Sequence, residues 1–184
     1  FLQAQLDARR DTSVPTGRSG TTCVVCVLIQ SNESDFVLYT AAVGDSRAIL
    51  LLDGTNVQQI AAKTTVKVSS ERERIQRSEG HMDGSGNVFY GPVGIAMTRS
   101  LGNAVMLRAG VLPIPIVSRY ELNNNRNFTI CAATDGVFDA LKDDQVTRIL
   151  VSPTSVTDAA RQVCEEAKLA WLGDFLIETK VDDI

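Results

Sequence analysis

Between Gly20 and Ile60, four runs rich in β-branched and apolar residues follow one another with only short polar breaks between them. They are Gly20 to Gln30, Phe36 to Val43, Ser46 to Leu52 and Val57 to Ile60. Ser31 to Ser34 separates the first pair, Gly44-Asp45 the second and Asp53-Gly54 the third. Asp-Gly between such runs is a strong hairpin signal, because both residues tolerate the positive φ that a tight reversal needs. A parallel pair needs a crossover of a dozen residues or more, and none of these breaks is long enough. The opening third is therefore predicted to be an antiparallel sheet, which excludes βαβ units there.

Helices are expected before and after this block. Phe1 to Arg10, with Leu2, Ala4 and Leu6, reads as the end of a helix, and 11–19 as a loop of Ser, Thr, Pro and Gly. Ser69 or Ser70 is expected to cap a short helix through Arg77 that stops at Gly80, its Glu/Arg run forming a solvated face. His81 to Gly86 reads as loop, Gly94 to Thr98 as strand, and Val111 to Tyr120, with Pro113 and Pro115, as an edge strand. Asp143 or Asp144 opens a helix to Leu150. Ser155 or Thr157 caps a longer one through Trp171, with apolar residues at Val156, Ala159, Ala160, Val163, Cys164, Ala167 and Ala170.

The chemistry concentrates at Phe128-Thr-Ile-Cys-Ala-Ala-Thr-Asp135-Gly136-Val-Phe-Asp139. The short uncharged run Thr129 to Ala133 suits a strand buried on both faces. It delivers Asp135 to a rigid end, where a metal ligand or catalytic acid is best held, and Gly136 lets the backbone turn. The same residues equally suit a plain turn, with Asp139 capping the segment Leu141 to Leu150.

The 184 residues suit one domain, 1–184, with a real core. A net charge of −4 argues against nucleic acid as a partner. No apolar run approaches the ~20 residues that span a bilayer. Cys23 and Cys26 share a Cys-x-x-Cys, but that spacing sends them to opposite faces of a strand, and no second Cys or His pair completes a zinc site. Buried free thiols in a reducing compartment are expected, which places the protein inside the cell, in cytoplasm or nucleus. The chain begins at Phe1 without Met and ends in mid-pattern at Asp182-Asp183-Ile184, as a piece of a longer chain would.

Five separated stretches resemble the metal-dependent protein phosphatase 2C family of serine/threonine phosphatases. They are Ser19-Gly-Thr-Thr-Cys-Val-Val, Ala42-Val-Gly-Asp45-Ser-Arg-Ala, Gly94-Ile-Ala-Met-Thr-Arg-Ser-Leu-Gly102, Ala132-Ala-Thr-Asp135-Gly-Val-Phe-Asp139 and Lys180-Val-Asp182-Asp183-Ile184. The resemblance implies an α+β fold, a four-layer sandwich of two antiparallel β-sheets flanked by helices, incomplete here at both ends. It implies hydrolysis of phosphoserine and phosphothreonine in phosphorylated protein substrates by metal-activated water, in a monomer. The cofactors would be Mg²⁺ or Mn²⁺, two ions with a third in some members. Asp135 and Asp182 would be core ligands, Asp45 and Asp139 would support the additional ion, and Gly136 is counted with them. The family's Asp-Gly-His motif is absent, and Asp83-Gly84-Ser85 falls in the wrong place to replace it. Asn103 stands where the family usually has Asp, and Lys63-Thr64-Thr65 replaces its Asp-His. Either an upstream piece lies outside this sequence, or the protein is a phosphatase-like binding or scaffold protein without catalysis.

Overall fold

The computed structural model describes residues 1–31, 34–61, 63–123, 125–151 and 155–174, in two compact units. In chain order the elements are α1 (Leu2–Arg10), β1 (Gly20–Thr21), β2 (Cys23–Gln30), β3 (Asp35–Val43), β4 (Arg47–Leu52) and β5 (Asn56–Ala61). Next come α2 (Ser69–Gln76), β6 (His81–Met82), β7 (Val88–Tyr90), β8 (Val93–Ile95), β9 (Leu101–Gly102) and a 3₁₀ helix over Ala104–Ala109. The chain closes with β10 (Ile116–Asn123), β11 (Phe128–Ala133), α3 (Asp135–Phe138), α4 (Asp143–Val151) and α5 (Val156–Asp174). Antiparallel sheets with separate helices make an α+β protein, as the resemblance implies, and the antiparallel pairing is what the short turns predict.

The first unit comprises 1–26, 40–46 and 62–118. It holds the two-stranded pair β1–β9 and the antiparallel sheet β6–β7–β8. Its core gathers Val66, Ile75, Val88, Met106, Ala109 and Val111. Ile75 arrives there from α2, four residues after Glu71, and both side chains are buried. The cap expected at Ser69 or Ser70 is instead Val68, whose carbonyl accepts the Arg72 amide. His81 and Met82, expected in a loop, pair with Phe89 and Val88, and the exposed His81 ring stacks on Phe89. The strand expected at Gly94 to Thr98 is shorter and earlier, Val93–Ile95.

The second unit comprises 27–39, 47–61 and 119–184. Its sheet runs β11–β4–β5, antiparallel throughout. β4 is central, so Ala48, Ile49, Leu50 and Leu51 are each at most 2% exposed. β11, expected to be buried on both faces, is mostly half-buried, and among the described residues it pairs with β4 alone. The β4–β5 reversal uses Asp53 at φ 50° and Gly54 at φ 70°, the positive angles the Asp-Gly signal calls for. Ile49, Val137, Phe138, Leu141, Val146, Ile149, Val163 and Ala167 form one core. α5 begins as expected at Ser155, whose hydroxyl accepts the Asp158 amide at 3.1 Å. α4 carries half a capping box, with the Lys142 amide donating to the Gln145 side chain at 2.9 Å.

Strands β10, β3 and β2 form a further sheet in that order, and each has residues in both units. Among the described residues β10 is an edge, as expected, but it starts at Ile116, after both prolines. The run Gly20 to Gln30 is two strands rather than one, broken at Thr22: β1 pairs with β9, and β2 with β3.

Candidate functional site

In the first unit, β3 ends in the turn Gly44-Asp45-Ser46. Gly44 sits at φ 93°, and a Cβ there would collide with the Thr22 side chain, so only glycine fits. Its amide donates to the Thr64 hydroxyl at 2.8 Å, and its carbonyl accepts from that hydroxyl at 2.9 Å and from the Thr64 amide at 2.7 Å. Thr64 itself is wholly buried, and its carbonyl accepts the Thr98 amide at 2.8 Å. The hydroxyls of Thr22 and Ser46 share a 2.7 Å hydrogen bond on the other side of the turn. Asp45, between them, is 9% exposed.

Behind Thr98 lies a buried charge cluster that the Glu/Arg run conceals. Glu71, read as part of a solvated face, is 1% exposed. Its carboxylate accepts from the Thr98 hydroxyl at 2.6 Å and from two guanidiniums, Arg99 at 2.7 and 3.0 Å and Arg74 at 2.8 Å through its second nitrogen. Burial alone would raise its pKa, but the Arg74, Arg99 and Thr98 bonds overcome that and hold it near 2, against an ordinary 4.5. Each guanidinium also caps irregular backbone: Arg74 reaches the Gly110 and Thr98 carbonyls, and Arg99 that of Ile114.

In the second unit, β11 runs through the extended Thr134 into α3, so Asp135 is the first helical residue. Gly136 does not turn the chain at positive φ but lies buried inside α3, and its carbonyl accepts the Trp171 indole N–H at 2.7 Å. The Asp139 amide donates to the Asp135 carbonyl at 2.7 Å, which sets the two carboxylates one helical turn apart. Val137 and Phe138 between them enter the core. Arg47, opposite Ala133 in the ladder, lies 4.5 Å over the Phe138 ring and 3.0 Å from the Asp143 carboxylate at the start of α4.

Of the residues singled out from the sequence, Asp45 thus belongs to the first unit and Asp135, Gly136 and Asp139 to the second, while Asp182 lies outside the described residues. Carboxylate oxygens suit a hard divalent cation in kind. Among the described residues, no three His, Cys, Asp or Glu side chains gather closely enough to hold one. Asp83 has its carboxylate taken by Ser85 and Asn87 in its own loop, which lowers its pKa to about 2. Asn103 adopts φ 46°, a left-handed conformation its side chain tolerates, and donates to the Ser100 hydroxyl. The four cysteines are free, but Cys23, Cys26 and Cys131 are only half-buried and Cys164 is exposed, contrary to expectation. No described helix is long and apolar enough to cross a membrane.

The profile of the protein phosphatase 2C family matches residues 1–171. The chain is 32% identical over 179 residues to the probable protein phosphatase 2C 61 of Arabidopsis thaliana, covering 90% of this chain and 53% of that protein. It is 32% identical over 190 residues to the probable protein phosphatase 2C 14 of Oryza sativa subsp. japonica, covering 96% of this chain and 35% of that one. It therefore spans roughly a third to a half of the length of such curated relatives. In fold it matches the crystal structure of serine-threonine phosphatase 2C from Toxoplasma gondii with a TM-score of 0.77, at 16% identity, over 98% of this chain and 61% of that one.

Proposed function

The chain belongs to the protein phosphatase 2C family, and on that premise we propose that the protein is a divalent-metal-dependent phosphatase of phosphoserine and phosphothreonine in protein substrates. The observation that carries the reading is the pair Asp135 and Asp139, set one turn apart at the mouth of a strand and anchored by a buried Val137-Phe138. Asp135 and Asp139 of the second unit, Asp45 of the first, and Asp182 are each proposed as a carboxylate donor to Mg²⁺ or Mn²⁺. Such an ion supplies Lewis-acid polarisation of the phosphoryl oxygens and a water acidic enough to attack near neutral pH. The chain's part is to keep these oxygen donors in place: Phe138 under Arg47, and Gly136 under Trp171, fix the α3 backbone on which two of them ride.

The test is Mn²⁺-dependent hydrolysis of a phosphopeptide by the complete gene product and its Asp135→Ala variant. The variant is expected to lose activity on the order of 100-fold or more, since charge stabilisation by a divalent ion is worth several kcal/mol. Equal rates would sink the role of Asp135. A wild type without turnover would support the scaffold reading instead.

A further inference from the structure

We propose that Thr12 is a phosphorylation site for an arginine-directed protein kinase, recognised through Arg9 and Arg10. No candidate metal ligand takes part, so the inference stands apart from the reading of this chain as a phosphatase.

A kinase that selects basic substrates holds them by carboxylates in its cleft, which pair with arginines two and three residues before the acceptor hydroxyl. In this chain Thr12, Ser13, Thr21 and Thr129 are the hydroxyl residues that follow an arginine by three, and Thr12 alone has arginines at both positions, Arg9 and Arg10. The fold separates these residues further. Thr129 is half-buried in β11 opposite Leu51, and Thr21 lies in β1 opposite Leu101, its hydroxyl donating to the Thr22 carbonyl. Ser13 donates its hydroxyl to the Asp11 carboxylate at 2.6 Å. Thr12 is exposed, lies outside every strand and helix, and its hydroxyl has no partner among the described residues.

The segment also has the slack that a kinase cleft demands. Before it, Gln5 is the buried side chain of α1 and clamps Gly102, accepting its amide at 2.6 Å and donating to its carbonyl at 3.4 Å. After it, the Thr16, Gly17 and Ser19 carbonyls accept the Ala104, Val105 and Asn103 amides at 2.8 to 3.0 Å. Between these anchors the chain is exposed from Arg9 to Pro15, held by local bonds such as the Asp11 amide to the Asp7 carbonyl and the Val14 amide to the Asp11 carbonyl. The last turn of α1 can therefore unwind into an extended strand with both anchors intact. Arg10 meets Asp7 at 3.7 Å, an exposed pair that a kinase carboxylate displaces at little cost. In the reaction the Thr12 Oγ1 attacks the γ-phosphorus of ATP, the P–O bond to ADP breaks as the ester forms, and the hydroxyl proton passes to the catalytic carboxylate of the kinase. The ester brings a charge of about −1.5 to −2 to the end of α1, where Arg9, Arg10 and Arg18 are the nearest cations along the chain.

The test is transfer of radiolabelled phosphate from ATP to the complete gene product by a purified arginine-directed kinase, with the acceptor located by tandem mass spectrometry. Wild type and Asp135→Ala are labelled side by side, so that phosphatase activity of the protein itself does not erase the product. Folded protein is expected to carry phosphate on Thr12. Ser13→Ala should be labelled like wild type, and Thr12→Ala should lose the label from this segment. Replacing Arg9 and Arg10 together by Ala should lower kcat/KM for labelling about tenfold or more, as the loss of charge-assisted bonds to the kinase requires. Label in Asp135→Ala that wild type lacks supports the site as well, and a protein without phosphatase turnover leaves the expected labelling unchanged. Phosphate on Ser13, Thr21 or Thr129 in place of Thr12 would overturn the proposal. So would labelling of Thr12 only after heat denaturation, a wild-type rate in the double-arginine variant, or an unlabelled Thr12 in both backgrounds.

Discussion

Both units have an apolar core, but the first adds a buried charge cluster to it. The second is tied by a ladder that satisfies its own backbone and by an apolar core around Ile49, Val137 and Ile149. The first contains the irregular stretch from Thr98 to Ile114, with a left-handed Asn103, a 3₁₀ helix and a left-handed Gly110. Buried backbone without a ladder still needs partners, and the guanidiniums of Arg74 and Arg99 supply them to the Thr98, Gly110 and Ile114 carbonyls. Glu71 keeps those two cations from being buried uncompensated. Charge appears beside this apolar core, then, where the chain runs without a ladder.

Removing the hub should break the contrast most. Glu71→Ala leaves two guanidiniums, 24% and 15% exposed, facing each other without a counter-charge. A loss of about 3–5 kcal/mol in urea unfolding followed by far-UV circular dichroism is expected. Replacing all three members by apolar residues of similar size should recover most of it; no recovery would mean that the carbonyl contacts of the arginines, not the charge balance, dominate.

Ile49→Ala in the other unit should cost about 3 kcal/mol by opening a cavity. The two variants then separate by pH. The folded pKa of Glu71 lies below its ordinary value, so its contribution is fully present above about 4.5 and fades as pH falls toward about 2. The penalty of Glu71→Ala should shrink over that window, and that of Ile49→Ala should stay flat. Parallel curves would refute the contrast between the charge cluster and the apolar core around Ile49. The smallest effect is expected at the rim of the second unit, where Ser155→Ala removes the α5 cap and should cost about 1 kcal/mol. A value near zero would place the stability of α5 entirely in its buried stripe.

Local patterns carried much of the fold into view from the sequence. β3, β4, β5, α4 and α5 lie close to their expected bounds, because turn residues, caps and apolar stripes are short-range signals. What depends on a distant partner did not show. An Glu-Arg-Glu-Arg run reads the same whether one glutamate is solvated or buried, and only Ile75 at four residues from Glu71 hinted at an inward face. Arg99, the partner that decides the matter, is 28 residues away. Likewise β11 reads by composition as a strand buried on both faces, but how far each face is covered is set by what packs and pairs with it, which the run itself does not encode. For the site, the turn bearing Asp45 and the α3 pair Asp135 and Asp139 stand at recognisable motifs. Thr64 registered only as a departure from a motif, since a threonine carries no sign that both its hydrogen-bonding roles are spent on one glycine.

The chain contains a single tryptophan, and its indole donates to the Gly136 oxygen one residue from Asp135. That gives the protein an intrinsic optical probe at its most interesting joint. Within these 184 residues, ultraviolet emission from Trp171 needs no label and has no second indole to contaminate it. Anything that pulls α5 from α3, or competes for that oxygen, changes the polarity around the excited ring and so the colour and yield of its light.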